Sequence, residues 1–94
     1  MAAVGVLTLE LRIEHAHSLK EKRHVVKSLK DRLRHKFNVS VAEIDDQDLH
    51  NSAVLAVATV SSSRPFAETI LRAVERETAS VVGPMLIRVD AEWF

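Results

Sequence analysis

The sequence predicts an α+β sandwich, a four-stranded antiparallel sheet with two helices on one face, and three observations carry that prediction. Residues 3–13 and 85–93 alternate apolar and polar side chains with the period of two of a half-buried strand. Residues 53–62 are apolar almost throughout, as expected of a strand in the interior of a sheet. Two further stretches, one opening at Ser18 and one near Pro65, repeat apolar residues every three or four positions, the spacing of a helix laid on a core.

The elements follow in order. Along the first strand Leu7, Leu9, Leu11 and Ile13 fall on one side, and Val6, Thr8, Glu10 and Arg12 on the other. Ser18 followed by Glu21 is a capping box, so the first helix begins at Leu19. Leu19, Val25, Val26, Leu29, Leu33 and Phe37 share one arc of it and face inward, and Asn38 can close it in a left-handed conformation. NVSVAEID, residues 38–45, resumes as a strand rich in β-branched residues, and Asp46 to Ser52 form a polar loop. After the third strand, Ser61, Ser62, Ser63, Arg64 and Pro65 start a second helix with Phe66, Ile70, Leu71 and Val74 as its buried stripe. Gly83 and Pro84 end the connection, and Met85, Ile87, Val89, Ala91 and Trp93 alternate along a last strand. Strand, helix, strand, strand, helix, strand is the split βαβ pattern of the ferredoxin-like fold. With 94 residues, 47% of them hydrophobic, residues 1–94 form a single such domain.

Composition excludes several chemistries. The chain has no cysteine, which rules out disulfides, thiolate metal sites and cysteine nucleophiles. MAAVGV carries no basic leader region and no apolar run reaches the length of a membrane-spanning helix, so a cytoplasmic protein is expected. Net charge is zero, yet residues 18–37 hold eight Lys or Arg against two acids, a net +6 that leaves −6 for the remainder. The molecule is a dipole with a basic helix at its positive end.

On that helix Lys20, Arg23, Lys27, Lys30 and Arg34 form one row at spacings of three and four, each the surface neighbour of the next, with Lys22 nearby. Like charges at such spacings cost roughly 0.2 to 0.5 kcal/mol per pair, so helix stability alone does not select the row. The alternative is an ordinary solvated face. Phosphate contact is the chemistry a cationic row would serve, and it positions a nucleic acid without reading its sequence. Sheets of this topology often bind RNA on the open face, but that needs stacking rings, and neither LTLELRI nor AVLAVATVS contains Phe, Tyr or Trp.

Other candidates are weaker. Ser62, Ser63 and Arg64 at a helix start could hold an anion, against the alternative of plain capping. Glu43, Asp45, Asp46 and Asp48 could hold a divalent cation, but the stretch lacks the glycine and the ligand spacing of a calcium loop. His15 and His17 flank Ala16 before the first helix with no third ligand nearby, while His24 and His35 stand about 16 Å apart along it and cannot share an ion. No cofactor or metal is therefore expected, nor any catalytic residue, since no nucleophile-elbow pattern is present and no polar set converges.

SLKEKR at 18–23, SLKDRL at 28–33 and FNVSVAEIDDQD at 37–48 resemble the bacterial YlxP-like family, a small domain of unknown function, and the similarity runs end to end. The resemblance implies a ferredoxin-like sandwich and a gene beside factors for transcription, translation initiation and ribosome maturation. By that neighbourhood Lys20, Lys22 and Arg23 become candidates for contact with ribosomal RNA or a ribosomal subunit. His50 departs from the tryptophan that many relatives carry after Asp-Leu, which puts any partner contact of that loop in doubt here. Two readings follow: a non-catalytic RNA- or ribosome-associated module using the basic row, and a homodimeric interaction module in which Val4 and Val6 lie in a self-complementary patch on the open sheet face.

Overall fold

A computed structural model describes the whole chain, Met1–Phe94. The elements occur in the expected order: β1 (Ala3–Arg12), α1 (Leu19–Lys36), β2 (Ser40–Asp45), β3 (Ser52–Ser61), α2 (Arg64–Val82) and β4 (Leu86–Trp93), with a short 3-10 turn at Gly83–Met85 leading into β4. The strands pair antiparallel in the order β2-β3-β1-β4. This is the ferredoxin-like arrangement, and it places β3 and β1 in the middle of the sheet. β3 has a neighbour at each edge and is apolar almost throughout, as expected of an interior strand.

Alternation decides what is buried. Leu7, Leu9 and Leu11 of β1 stand opposite Val57, Leu55 and Ala53 of β3, and all six are buried beneath the helices. From α1, Val26, Leu29 and Leu33 enter the same core, as do Leu71, Val74 and Val82 from α2. Ser18 caps α1 by accepting from the Glu21 amide at 3.1 Å, and the Glu21 carboxylate reaches back one residue further than a simple capping box, to the His17 amide at 3.3 Å.

Three local expectations are corrected. Asn38 does not close α1 in a left-handed conformation, since only Asp46 and Gly83 have positive φ. Phe37 turns extended instead, its amide on the Leu33 carbonyl, so that Phe37 and Val39 can both pack on the core. Phe66 is 61% exposed rather than buried, because the inner stripe of α2 is Ala67, Leu71, Val74, Thr78 and Val82. Phe66 sits about 100° around the helix from Ala67 and misses that stripe. In β4 a register shift beside Glu10 sets Leu86 opposite Leu11 and leaves Ile87 exposed, so the alternation reaches inward from Val89 but not from Ile87.

The two helices are joined by a charge cluster that pattern reading did not single out. Arg32 Nε lies 2.7 Å from one oxygen of Glu77 and Lys36 Nζ 2.7 Å from the other, with the Glu77 side chain only 10% exposed. The hydrogen bonds from Lys36 and Arg32 hold the Glu77 carboxyl below its ordinary value of 4.5, outweighing the opposing effect of desolvation. On acidification the unfolded chain therefore takes this proton before the folded one. The contribution is complete above the ordinary carboxylate range and is lost as pH falls below about 4.5 through the lowered folded value. Glu77→Gln should flatten the acid limb of thermal stability against pH, and an unchanged limb would show that the cluster contributes nothing.

Candidate nucleic-acid interface

Of the six basic residues that the sequence singles out on α1, the five of the row stay at the surface and one does not. Lys20, Arg23, Lys27 and Arg34 are exposed and Lys30 is half-buried. Arg32 and Lys36 occupy the other flank, against α2, so the row lies on the flank away from α2. Two of its members are engaged. Lys27 is salt-bridged at 2.7 Å to Asp31, four residues on, which partly screens the row. Arg34 Nη2 donates to the Val41 carbonyl of β2, an edge strand, at 2.6 Å. Lys20, Arg23 and Lys30 form no salt bridge. Asp31 reports the local field: its carboxyl is held below the usual carboxylate range first by the Lys27 hydrogen bond, then by the charges of Lys27, Arg34 and Lys30, against a desolvation effect of opposite sign.

Lys22 is the exception, and its place as a phosphate contact is corrected. Its side chain is 1% exposed, with Nζ 2.8 Å from Oε2 of Glu43 and donating a hydrogen bond to the Asp46 carbonyl. The Glu43 oxygen is buried and takes no aligned hydrogen bond, so that contact is one of charge. At 100° per residue Lys22 falls about 60° from Leu19, between Leu29 and Leu33, at the centre of the apolar arc. Glu43 pairs with Leu55 in the sheet and so points to the core face, where Lys22 meets it. Both orientations were available from periodicity: two inward charges of opposite sign, one in SLKEKR and one in FNVSVAEIDDQD. A charge at the centre of an apolar arc is the sequence signal of such a buried pair.

That pair also accounts for the acidic stretch. Asp45 Oδ1 accepts from the Asp46 amide at 2.8 Å, and Asp46 Oδ2 accepts from the Ser52 hydroxyl at 2.7 Å. Asp46 has φ of 60°, a conformation more open to Asp than to most residues, which turns its carbonyl toward Lys22. Three of the four acids thus have partners within the chain, and no three His, Asp or Glu side chains converge as a metal site would require.

At the start of α2 two serines of the run, Ser61 and Ser63, hold local hydrogen bonds. Ser63 Oγ caps the helix by accepting from the Phe66 amide, and Ser61 Oγ accepts from the Ser63 amide. Arg64 Nε lies 3.1 Å from Glu68 one turn further along the helix, and its guanidinium lies over the Trp93 ring, 4.6 Å from its centroid.

The open sheet face carries no ring on its central strands. Val4, Val6 and Thr8 of β1 stand beside Val60, Ala58 and Ala56 of β3, forming a flat apolar field with Ala42 at its β2 side. Asp90 and Glu92 of β4 border it opposite Thr8 and Val6. No helix of the chain is long and apolar enough to cross a membrane.

These features define a small ferredoxin-like domain with one cationic helix flank and one flat apolar sheet face. The chain belongs to the family described as protein of unknown function (DUF503), whose model matches residues 4–90. It is 44% identical over 71 residues to the uncharacterized protein YlxP of Bacillus subtilis (strain 168), across 76% of this chain and 77% of that one. Among solved structures it resembles the de novo designed protein LFR1 1 with ferredoxin fold, at 12% identity and a TM-score of 0.59, over 100% of this chain and 84% of that one. It also resembles a dimeric ferredoxin-like protein of unknown function from Thermobifida fusca, at 14% identity and a TM-score of 0.56, over 99% and 90% of the two chains. At these identities the two structures speak for the fold alone.

Proposed function

We propose that this protein is a non-catalytic cytoplasmic module that binds folded RNA, ribosomal RNA or a ribosomal subunit, through phosphate contacts along α1. The observation that carries the reading is the row itself: Lys20, Arg23 and Lys30 without a carboxylate partner, Lys27 exposed beside its single acid, and Arg34 at the far end. Three unpaired like charges on one flank are a standing electrostatic cost that a polyanion relieves. Binding to a structured ribosomal RNA fragment and to ribosomal subunits, at low and raised salt, tests it. Log affinity should fall with log salt by about 0.7 to 0.9 per neutralised phosphate. The folded triple variant Arg23→Glu, Lys27→Glu, Lys30→Glu should bind at least ten-fold more weakly. Equal binding by both proteins, or none by either, removes this reading.

A second reading rests on the open face. Val4, Val6, Ala56, Ala58 and Val60 make a field without charge at its centre, which suits a second copy of the same face stacked on it about a two-fold axis. The Thermobifida fusca neighbour is described as dimeric, which is in keeping with that reading. Sedimentation should give twice the chain mass of 10.5 kDa, and Val6→Glu with Ala58→Glu should return it to one. A wild-type monomer at tens of micromolar would dismiss the dimer. The two readings use opposite sides of the molecule and are compatible.

A further inference from the structure

A depression of about 570 Å³ opens at the N-terminal end of the basic row, lined by His15 from the β1–α1 connection and by Lys20, Arg23, His24 and Lys27 of α1, with Val25 and Glu21 completing it. Its volume exceeds that of a lone phosphate and falls within the range of small-ligand sites. Its walls are largely apolar, and among its lining residues Lys20 and Arg23 form no salt bridge while the Lys27 ammonium is held by Asp31. Glu21 is the one acid of the lining; its carboxylate accepts from the His17 amide and keeps its charge, and Lys20, Arg23 and Lys27 leave the lining net positive. The loop that presents His15 is held: Ile13 and Ala16 on either side are buried, the Ile13 amide donates to the Asn51 carbonyl, and the Ala16 amide donates to the Ile13 carbonyl.

A flat row of cations needs no cavity to bind backbone phosphates. A cavity with apolar walls, and with two imidazole rings and cations in its lining, matches a whole nucleotide, since unpaired bases stack on aromatic side chains, histidine among them. Among the chain's phenyl and indole rings none lines the depression: Phe37 packs on the core at the far end of α1, Trp93 packs beneath Arg64, and Phe66 and Phe94 lie outside this helix; of the five histidines, only His15 and His24 line it. Resting on the RNA reading above, we infer that this depression seats one unpaired nucleotide of the bound RNA. Its base lies against His15 and His24 and its phosphate on Lys20 and Arg23, while the rest of the row follows the adjoining backbone.

The test compares a fully paired RNA hairpin with the same hairpin carrying a single-nucleotide bulge, by fluorescence anisotropy at fixed salt, for wild type and for His15→Ala, His24→Ala. Both histidines are exposed, so the double variant is expected to fold. The bulged RNA should bind wild type at least five-fold more tightly than the paired one, and the double variant should lose that preference while keeping its affinity for the paired hairpin. Equal affinity of wild type for the two RNAs overturns the nucleotide seat and leaves the phosphate row standing. A preference that persists in the double variant also overturns it. Binding of neither RNA overturns both.

Discussion

Lys22→Ala is expected to cost about 3 kcal/mol or more of folding stability, a fall of roughly 12 °C or more in Tm for a chain of this size. Removing one partner of a buried ion pair costs far more than the pair contributes, because the other charge stays behind without compensation. Here Glu43 would keep its carboxylate on the core face with 18% of the side chain exposed, and the Asp46 carbonyl would lose its donor while Asp46 remains at positive φ. Replacing both partners by apolar residues, Lys22→Met with Glu43→Leu, should recover most of the loss. Thermal denaturation of the two variants decides the matter, and a Lys22→Ala protein within about 0.5 kcal/mol of wild type, the size of an ordinary surface substitution, would show that the pair is not structural. The folded double variant should bind RNA as wild type does. Loss of binding with the fold intact would return Lys22 to the interface.

Gly5→Ala is expected to destabilise by about 1 to 3 kcal/mol, the range for overpacking a filled site. A methyl at Gly5 would stand 2.6 Å from Trp93 Cζ3 and 2.9 Å from Leu71 Cδ1, closer than carbon atoms approach, so the indole must leave its seat. Trp93 faces Gly5 across the β1–β4 ladder and is the one tryptophan of the chain, which makes its fluorescence a direct reporter. Its emission should shift toward that of a solvated indole. In a Trp93→Ala background the same methyl should cost much less, and equal cost in both backgrounds would rule out the close approach as the cause.

Much of the fold was legible from periodicity because it depends on local rules. The capping serine, the alternation of β1 and the interior character of β3 each express a preference of a short stretch, and each stands in the structure. Phe66 and Ile87 depart from the periodic expectation for a common reason. Hydrophobicity marked them as core, but the phase of α2 and the shift of β4 against β1 decide which side they take, and those depend on what lies across from them. The site was legible in its charges and misread in its depth. The row from Lys20 to Arg34 is a matter of helical spacing, whereas the burial of Lys22 needed its partner on another element to be known.

The sequence by itself determined the order of elements, the sheet topology they imply and the flank of α1 that carries positive charge, because period and capping act within some twenty residues. Only the tertiary structure decided which charges are structural and which are available. Lys22 and Lys20 are two residues apart on one helix, yet one is neutralised by Glu43 in the interior and the other has no partner. The physical reason is that a charge is spent or free according to what faces it across the fold, and Glu43 is brought to Lys22 only when β2 pairs with β3 beneath α1.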